Sequence, residues 1–84
     1  MTATISAPKF TGILHEGTMF EMYEVEYNGM HYSVSVTEEE NGTAVFTVYG
    51  LEGDILDPNI PVIRQMAEVV NSEVFGKLYL VTMN

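Results

Sequence analysis

The pair Asn28-Gly29, set between two runs that alternate apolar and polar residues, constrains this chain more than any other feature. Both residues tolerate the positive φ of a type I′ turn, whose twist matches the strands it joins, so the pair predicts a two-residue hairpin. On its N-terminal side, Thr18 to Tyr27 reads as a strand with Tyr23, Val25 and Tyr27 on one face and Glu24 and Glu26 on the other. On its C-terminal side, Met30 to Thr37 turns Met30, Tyr32, Val34 and Val36 one way and His31, Ser33, Ser35 and Thr37 the other. A charged loop, Glu38-Glu39-Glu40-Asn41-Gly42, leads into a third strand, Thr43 to Tyr49. There Ala44, Phe46 and Val48 oppose Val45, Thr47 and Tyr49. Three such runs joined by short turns form an antiparallel meander.

Beyond Tyr49 the period changes. Gly50 to Asp57 is a turn-rich connection, and Asp57-Pro58-Asn59 supplies helix-start chemistry. Ile60, Ile63, Ala67, Val70 and Val74 then recur at steps of three and four, with Met66 beside them. Arg64, Gln65, Glu68, Asn71 and Ser72 fill the other side, which describes an amphipathic helix of about three turns. Gly76 ends it, and Lys77 to Met83 reads as a last strand. The predicted plan is β-β-β-α-β: an α+β domain with a three-stranded antiparallel meander, one amphipathic helix and a C-terminal strand. The 84 residues allow one compact domain over 10–84, preceded by a flexible N-terminal arm over 1–9 around Pro8. Residues 8–15 stand open between an edge strand and an unpaired segment.

Composition removes several kinds of chemistry. The chain has no cysteine, hence no disulfide framework, thiolate zinc site or cysteine nucleophile. Twelve Asp and Glu against three Lys and Arg give a formal charge of -9, so the chain has almost nothing with which to displace counterions from nucleic acid or to hold an anionic membrane. No secretory signal or spanning segment is evident, and a cytoplasmic protein is expected.

A catalytic constellation is not evident either. The two histidines are His15, beside Glu16, and His31, on the polar face of the second strand with Ser33 and Ser35. Side chains two apart on a strand are separated by about 6.6 Å, so His31 and its serines do not form a nucleophile–base pair by spacing alone. Glu52, Asp54 and Asp57 lack the register of a calcium loop and read as turn and helix-start residues. Gly50 and Gly53 make no phosphate-binding pattern. No enzyme activity, metal or cofactor is expected.

What the sequence does offer is one-sided charge. Glu16, Glu21, Glu24 and Glu26 run along the first segment, and Glu38, Glu39 and Glu40 cluster at a hairpin tip. Such a field speeds encounter with a basic partner and repels acidic ones. A domain this size is about 30 Å across, and duplex DNA of that length carries roughly 18 phosphates. One copy therefore presents half the charge density of a duplex, and two copies together would approach it. The strands also carry apolar residues on their second faces: Phe20 and Met22 oppose Tyr23 and Val25, and Val45 and Tyr49 oppose Phe46 and Val48. A single helix cannot cover both faces, and uncovered apolar surface marks association sites. The expected function is that of a non-enzymatic acidic protein that inhibits or sequesters a basic, nucleic-acid-handling protein. It is similar in type alone to toxin-immunity proteins and to phage factors that block host defence enzymes, with nucleic-acid mimicry as its sharpest form. The expected binding residues are Glu21, Glu24, Glu26, Glu38, Glu39 and Glu40, with Tyr23 and Tyr27 as anchors. The alternative is a structural or accessory subunit that acts by forming a homodimer or larger homo-oligomer.

Overall fold

Alternation of period two dominates the first half of the chain, and it is realised as a sheet. The computed structural model describes residues 4–15 and 19–84. Five strands, β1 (Lys9–His15), β2 (Met19–Tyr27), β3 (Met30–Glu38), β4 (Thr43–Tyr49) and β5 (Leu80–Met83), lie side by side in chain order. One helix, α1 (Pro61–Phe75), follows β4. The Asn28-Gly29 turn joins β2 to β3 with φ values of 54° and 78°, the left-handed pair that a type I′ turn requires. It sets Tyr23 opposite Val34 and Glu24 opposite Ser33. β3 and β4 continue this with Val36 opposite Phe46 and Ser35 opposite Thr47. The expected α+β meander is thus present.

The meander gains a strand at each side. Of residues 8–15, Lys9–His15 form an edge strand: β1 pairs antiparallel with β2, interrupted by a bulge between Phe10 and Gly12. Within the stretch expected as an arm, Ser6 donates its N–H to the Glu26 carbonyl and accepts the Glu26 N–H on its hydroxyl. At the other side β5 runs parallel to β4, as a strand must when a helix carries the chain back across the sheet. It is shorter than the Lys77–Met83 expected. Gly76 and Lys77 are both left-handed and donate to the Ser72 and Asn71 carbonyls, so the chain is still reversing until Leu80.

The helix differs from its expected start and runs about four turns over 15 residues. Pro61 rather than Pro58 occupies its first turn, while Asp57 accepts the Asn59 N–H in a turn ahead of it. Ile63, Met66, Ala67 and Val70 face the sheet as expected. Ile60 and Val74, assigned to the same stripe, are exposed, and Asn71, assigned to the polar side, is buried. Its amide donates to the Tyr79 carbonyl at 2.8 Å and accepts the Tyr79 N–H at 3.2 Å, so a polar side chain holds the chain end leading into β5.

α1 packs on β3, β4 and β5, against one face of the sheet. Val25, Val34, Val36, Phe46 and Val48 meet Met66 and Val70 there, all nearly without solvent contact. Each such side chain contributes about 1.5–3 kcal/mol of hydrophobic burial, which is how a disulfide-free chain of this size holds together. Among the described residues no helix is long and apolar enough to cross a membrane.

Candidate functional site

Strand parity sends half of every strand to the face that α1 does not cover. The register places Phe20, Met22, Glu24 and Glu26 of β2 on it, with His31, Ser33, Ser35 and Thr37 of β3 and Val45, Thr47 and Tyr49 of β4. Ser35 and Thr47, at its centre, are buried although no helix lies over them. Short hydroxyl side chains there leave a depression between larger neighbours. The connection after β4 completes its wall. It folds back so that Leu56 donates to the Val48 carbonyl and Ile55 bridges Tyr49. A tight turn at 50–54 is closed by the Gly50 N–H donating to the Asp54 carbonyl and the Gly53 N–H donating to the Gly50 carbonyl. A Cβ at position 50 would lie 2.8 Å from an Asp54 carboxylate oxygen, so a larger residue there would require the exposed Asp54 side chain to turn away. The result is an open hollow of about 440 Å³ lined by Phe20, Met22, Ser33, Ser35, Tyr49 and Leu51. Leu51, two-thirds exposed, forms its outer lip.

Carboxylates border this hollow. Glu24 and Glu26 flank His31 on the same face: His31 Nδ1 lies 2.9 Å from Glu24 Oε1, and Nε2 lies 3.4 Å from Glu26 Oε2. All three side chains are about half exposed, so these pairs add little to stability. A neutral imidazole donates to one of the two carboxylates and an imidazolium to both, so the cluster retains acceptor capacity for an incoming cation. Glu52 and Asp54 are exposed on the turn beside the hollow.

The other expected binding residues are placed elsewhere. Glu21 is on the helix side of β2, opposite Val36, and its carboxylate accepts the Tyr23 hydroxyl at 3.2 Å. Burial raises the Glu21 carboxyl above its usual value, helped by a hydrogen bond and charge repulsion from Glu38, the end residue of β3. The same burial, with the Glu21 charge and hydrogen bond, pushes the Tyr23 phenol up to about 12. Partial burial and Glu38 also raise Tyr79. Glu39 and Glu40 are exposed at the β3–β4 tip. The expected acidic set is therefore two groups: Glu24 and Glu26 beside the hollow, and Glu21, Glu38, Glu39 and Glu40 around the far end of β2 and β3.

The expected aromatic anchors are a correction. Tyr23 is 5% exposed and stands edge-on between Phe10 and Phe75, inside the core. Tyr27 is half-buried against that core. Both lie on the inner face because they share parity with Val25. The aromatic rings on the free face are Phe20 and Tyr49 instead. Their parity relative to Glu24 was available in the sequence, whereas Leu51 joins them only through the folded turn.

Glu16 and the His15 side chain lie outside the described residues. Glu52, Asp54 and Asp57 do not converge, and among the described residues no group of three or more His, Asp or Glu is gathered to hold a metal ion. Compared with protein-family models, with curated proteins and with solved structures, the chain matches none of them.

Proposed function

We propose that this protein is a non-enzymatic acidic binding module whose helix-free sheet face receives a basic surface of a nucleic-acid-handling protein and thereby inhibits or sequesters it. The observation that carries this reading is the coincidence on one face of an apolar-walled hollow and a carboxylate border. Phe20, Met22, Tyr49 and Leu51 offer contact area, and around them Glu24 and Glu26, which share His31, and the exposed Glu52 and Asp54 offer carboxylate oxygens to Lys or Arg. Apolar centre and charged rim are the anatomy of a protein–protein interface. The partner class follows from charge, since extended basic surfaces belong to proteins that grip phosphate backbones. The body is 35 Å along its longest axis, a length over which duplex DNA carries about 20 phosphates. Against those, the chain has a net -9, so one copy occupies part of a basic groove rather than replacing a whole duplex.

The test begins with capture of partners on the tagged protein at low and high salt, followed by titration of the recovered partner. Binding should weaken steeply with salt and should compete with the partner's own nucleic acid. The double variant Glu24→Lys, Glu26→Lys should lose affinity and flatten the salt dependence. A partner that binds equally well to that variant, or that holds nucleic acid and this protein together, would sink the proposal.

A further inference from the structure

Cross-strand register gives the helix-free hollow the shape of a trough. Glu24, Ser33 and Tyr49 stand in one row across β2, β3 and β4, and Met22, Ser35 and Thr47 in the next. The strands on either side of β3 are two spacings apart, about 10 Å, and only serines rise between them in the lined stretch. Met22 stands on one wall, Tyr49 and Leu51 on the other, and Ser33 and Ser35 make the floor. Ser35 is 2% exposed, yet its hydroxyl enters no hydrogen bond among the described residues. None of their fully enclosed side-chain oxygens and nitrogens lacks a partner, so the Ser35 Oγ opens into the trough. A nearly buried hydroxyl left without a partner is a cost that an incoming polar group removes. Carboxylates stand at both walls. Glu24 Oε1 meets His31, and Oε2 remains as a second acceptor. On the opposite side the Asp54 carboxylate lies against Gly50, which is part of the lining. Lys9 stands opposite Glu24 on β1 without forming an ion pair to it, so acidic groups dominate this face.

We propose that this trough seats a single arginine side chain of the partner, an inference that rests on the proposed binding of a basic surface at this face. Charge complementarity calls for a cation, and the arrangement of walls and floor selects arginine over lysine. An arginine stem lies along Met22 and Leu51, as long basic side chains do over apolar surface. Its planar guanidinium stacks against the Tyr49 ring and carries five N–H donors in a fixed fork. Those donors address separate acceptors at once: Glu24 at one wall, Asp54 at the other, and the serine oxygens between them. A lysine ammonium is a compact, strongly hydrated point charge with three donors. Entering the trough strips its water and leaves part of the floor unmet. A neutral side chain of arginine's shape meets the serines but leaves the carboxylates without a counter-charge. One arginine held in a walled pocket is also the kind of contact that dominates interface energies.

Titration of the isolated protein with the N-acetyl amides of arginine, lysine and citrulline, followed by amide chemical shifts, tests this without any partner. Citrulline keeps the shape of arginine and lacks its charge. The arginine probe should move the amides of Ser33, Ser35, Gly50 and Leu51 with millimolar affinity. The lysine probe should bind about fivefold more weakly, and the citrulline probe should leave those amides in place. Glu24→Gln should weaken the arginine probe about fivefold. Ser35→Leu, which fills the trough, should abolish its binding. Glu68→Gln with Glu73→Gln removes two charges from α1 and should change nothing. Equal binding of the arginine and lysine probes, shifts gathered at the Glu39–Glu40 tip instead of the trough, or unchanged affinity in Glu24→Gln overturns the proposal. These outcomes are separable from those of partner capture. A basic protein that binds Ser35→Leu as tightly as the wild type strikes the arginine seat and leaves the acidic face as the docking surface. An arginine probe seated in the trough, with no nucleic-acid-handling protein captured, strikes the partner class and leaves the seat.

Discussion

The helix-covered and helix-free faces of this sheet are built from the same strands, alternate residue by alternate residue, and they differ in what closes them. Val34, Val36, Phe46 and Val48 are branched or bulky and meet α1, whereas Ser33, Ser35, Thr37 and Thr47 behind them are small, hydroxylated and unroofed. The first set excludes water and holds the fold; the second leaves a hollow with apolar walls. Stability and the proposed recognition are thereby assigned to residues one step apart in strand parity, and substitutions should separate them. Phe46→Ala removes a ring from a site with no solvent contact and should cost about 3–5 kcal/mol, enough to unfold much of so small a domain. Tyr49→Ala, three residues on and on the other face, should cost about 1 kcal/mol while weakening partner binding. Urea denaturation of the two variants measures the contrast, and equal destabilisation would mean that the helix-free face is a second core.

The helix-covered face reaches its edge strand through a polar contact, which gives the next largest effect. Asn71→Leu fits the volume but leaves the Tyr79 N–H and carbonyl without partners, at about 1–3 kcal/mol. Amide exchange should accelerate in β5 before it does in β2 or β3.

How much of this was legible in advance depends on which contacts set each feature. The hairpin at Asn28-Gly29, the alternation of β3 and the stripe Ile63, Met66, Ala67 and Val70 are local patterns, and each is found where the sequence put it. The pairing of β1 with β2 is not local. Its bulge breaks the period, and the apolar Phe10 and Ile13 remain half-exposed beyond the reach of α1, so little in the segment itself announces a strand. Asn71 looks polar and solvent-facing until the chain after Gly76 returns to it. The candidate site divides the same way. Glu24 and Glu26 were identifiable from parity, but grouping Glu21 with them ignored that it shares parity with Tyr23. Leu51 depends on a turn whose closure by Gly50 and Asp54 no spacing rule predicts.

Neutralising charge beside the hollow sharpens the comparison further. Glu24→Gln with Glu26→Gln should change stability by less than about 0.5 kcal/mol, since both carboxylates are half exposed. Partner affinity should nevertheless fall by about tenfold, or 1.4 kcal/mol, with a smaller salt slope. Unchanged affinity together with unchanged salt dependence would move the acidic contact away from this face.

Glu21 completes the contrast, because the same substitution there should act in the opposite sense. Its folded carboxyl titrates above the ordinary value of 4.5 through burial and the neighbouring Glu38. Between those two values the folded chain holds more protons than the unfolded one, so this residue's contribution to stability is full at low pH and is lost as pH rises through the folded value. Glu21→Gln removes the ionisation and keeps an acceptor for the Tyr23 hydroxyl. At neutral pH it should therefore stabilise the fold by a few tenths of a kcal/mol, the scale of cross-strand pairs, and raise Tm by about 1–3 °C. Its stability should also fall less than the wild type's between mildly acidic and neutral pH. At the alkaline end the sign repeats: Tyr23 ionises near 10 unfolded and about 12 folded, so stability declines as pH rises across that interval. Tyr23→Phe should shallow that decline. Thermal melts across pH, set beside partner titrations, separate the two acidic groups: a carboxylate beside the hollow should matter to binding and little to Tm, and Glu21, on the helix side of β2, should matter to Tm and little to binding.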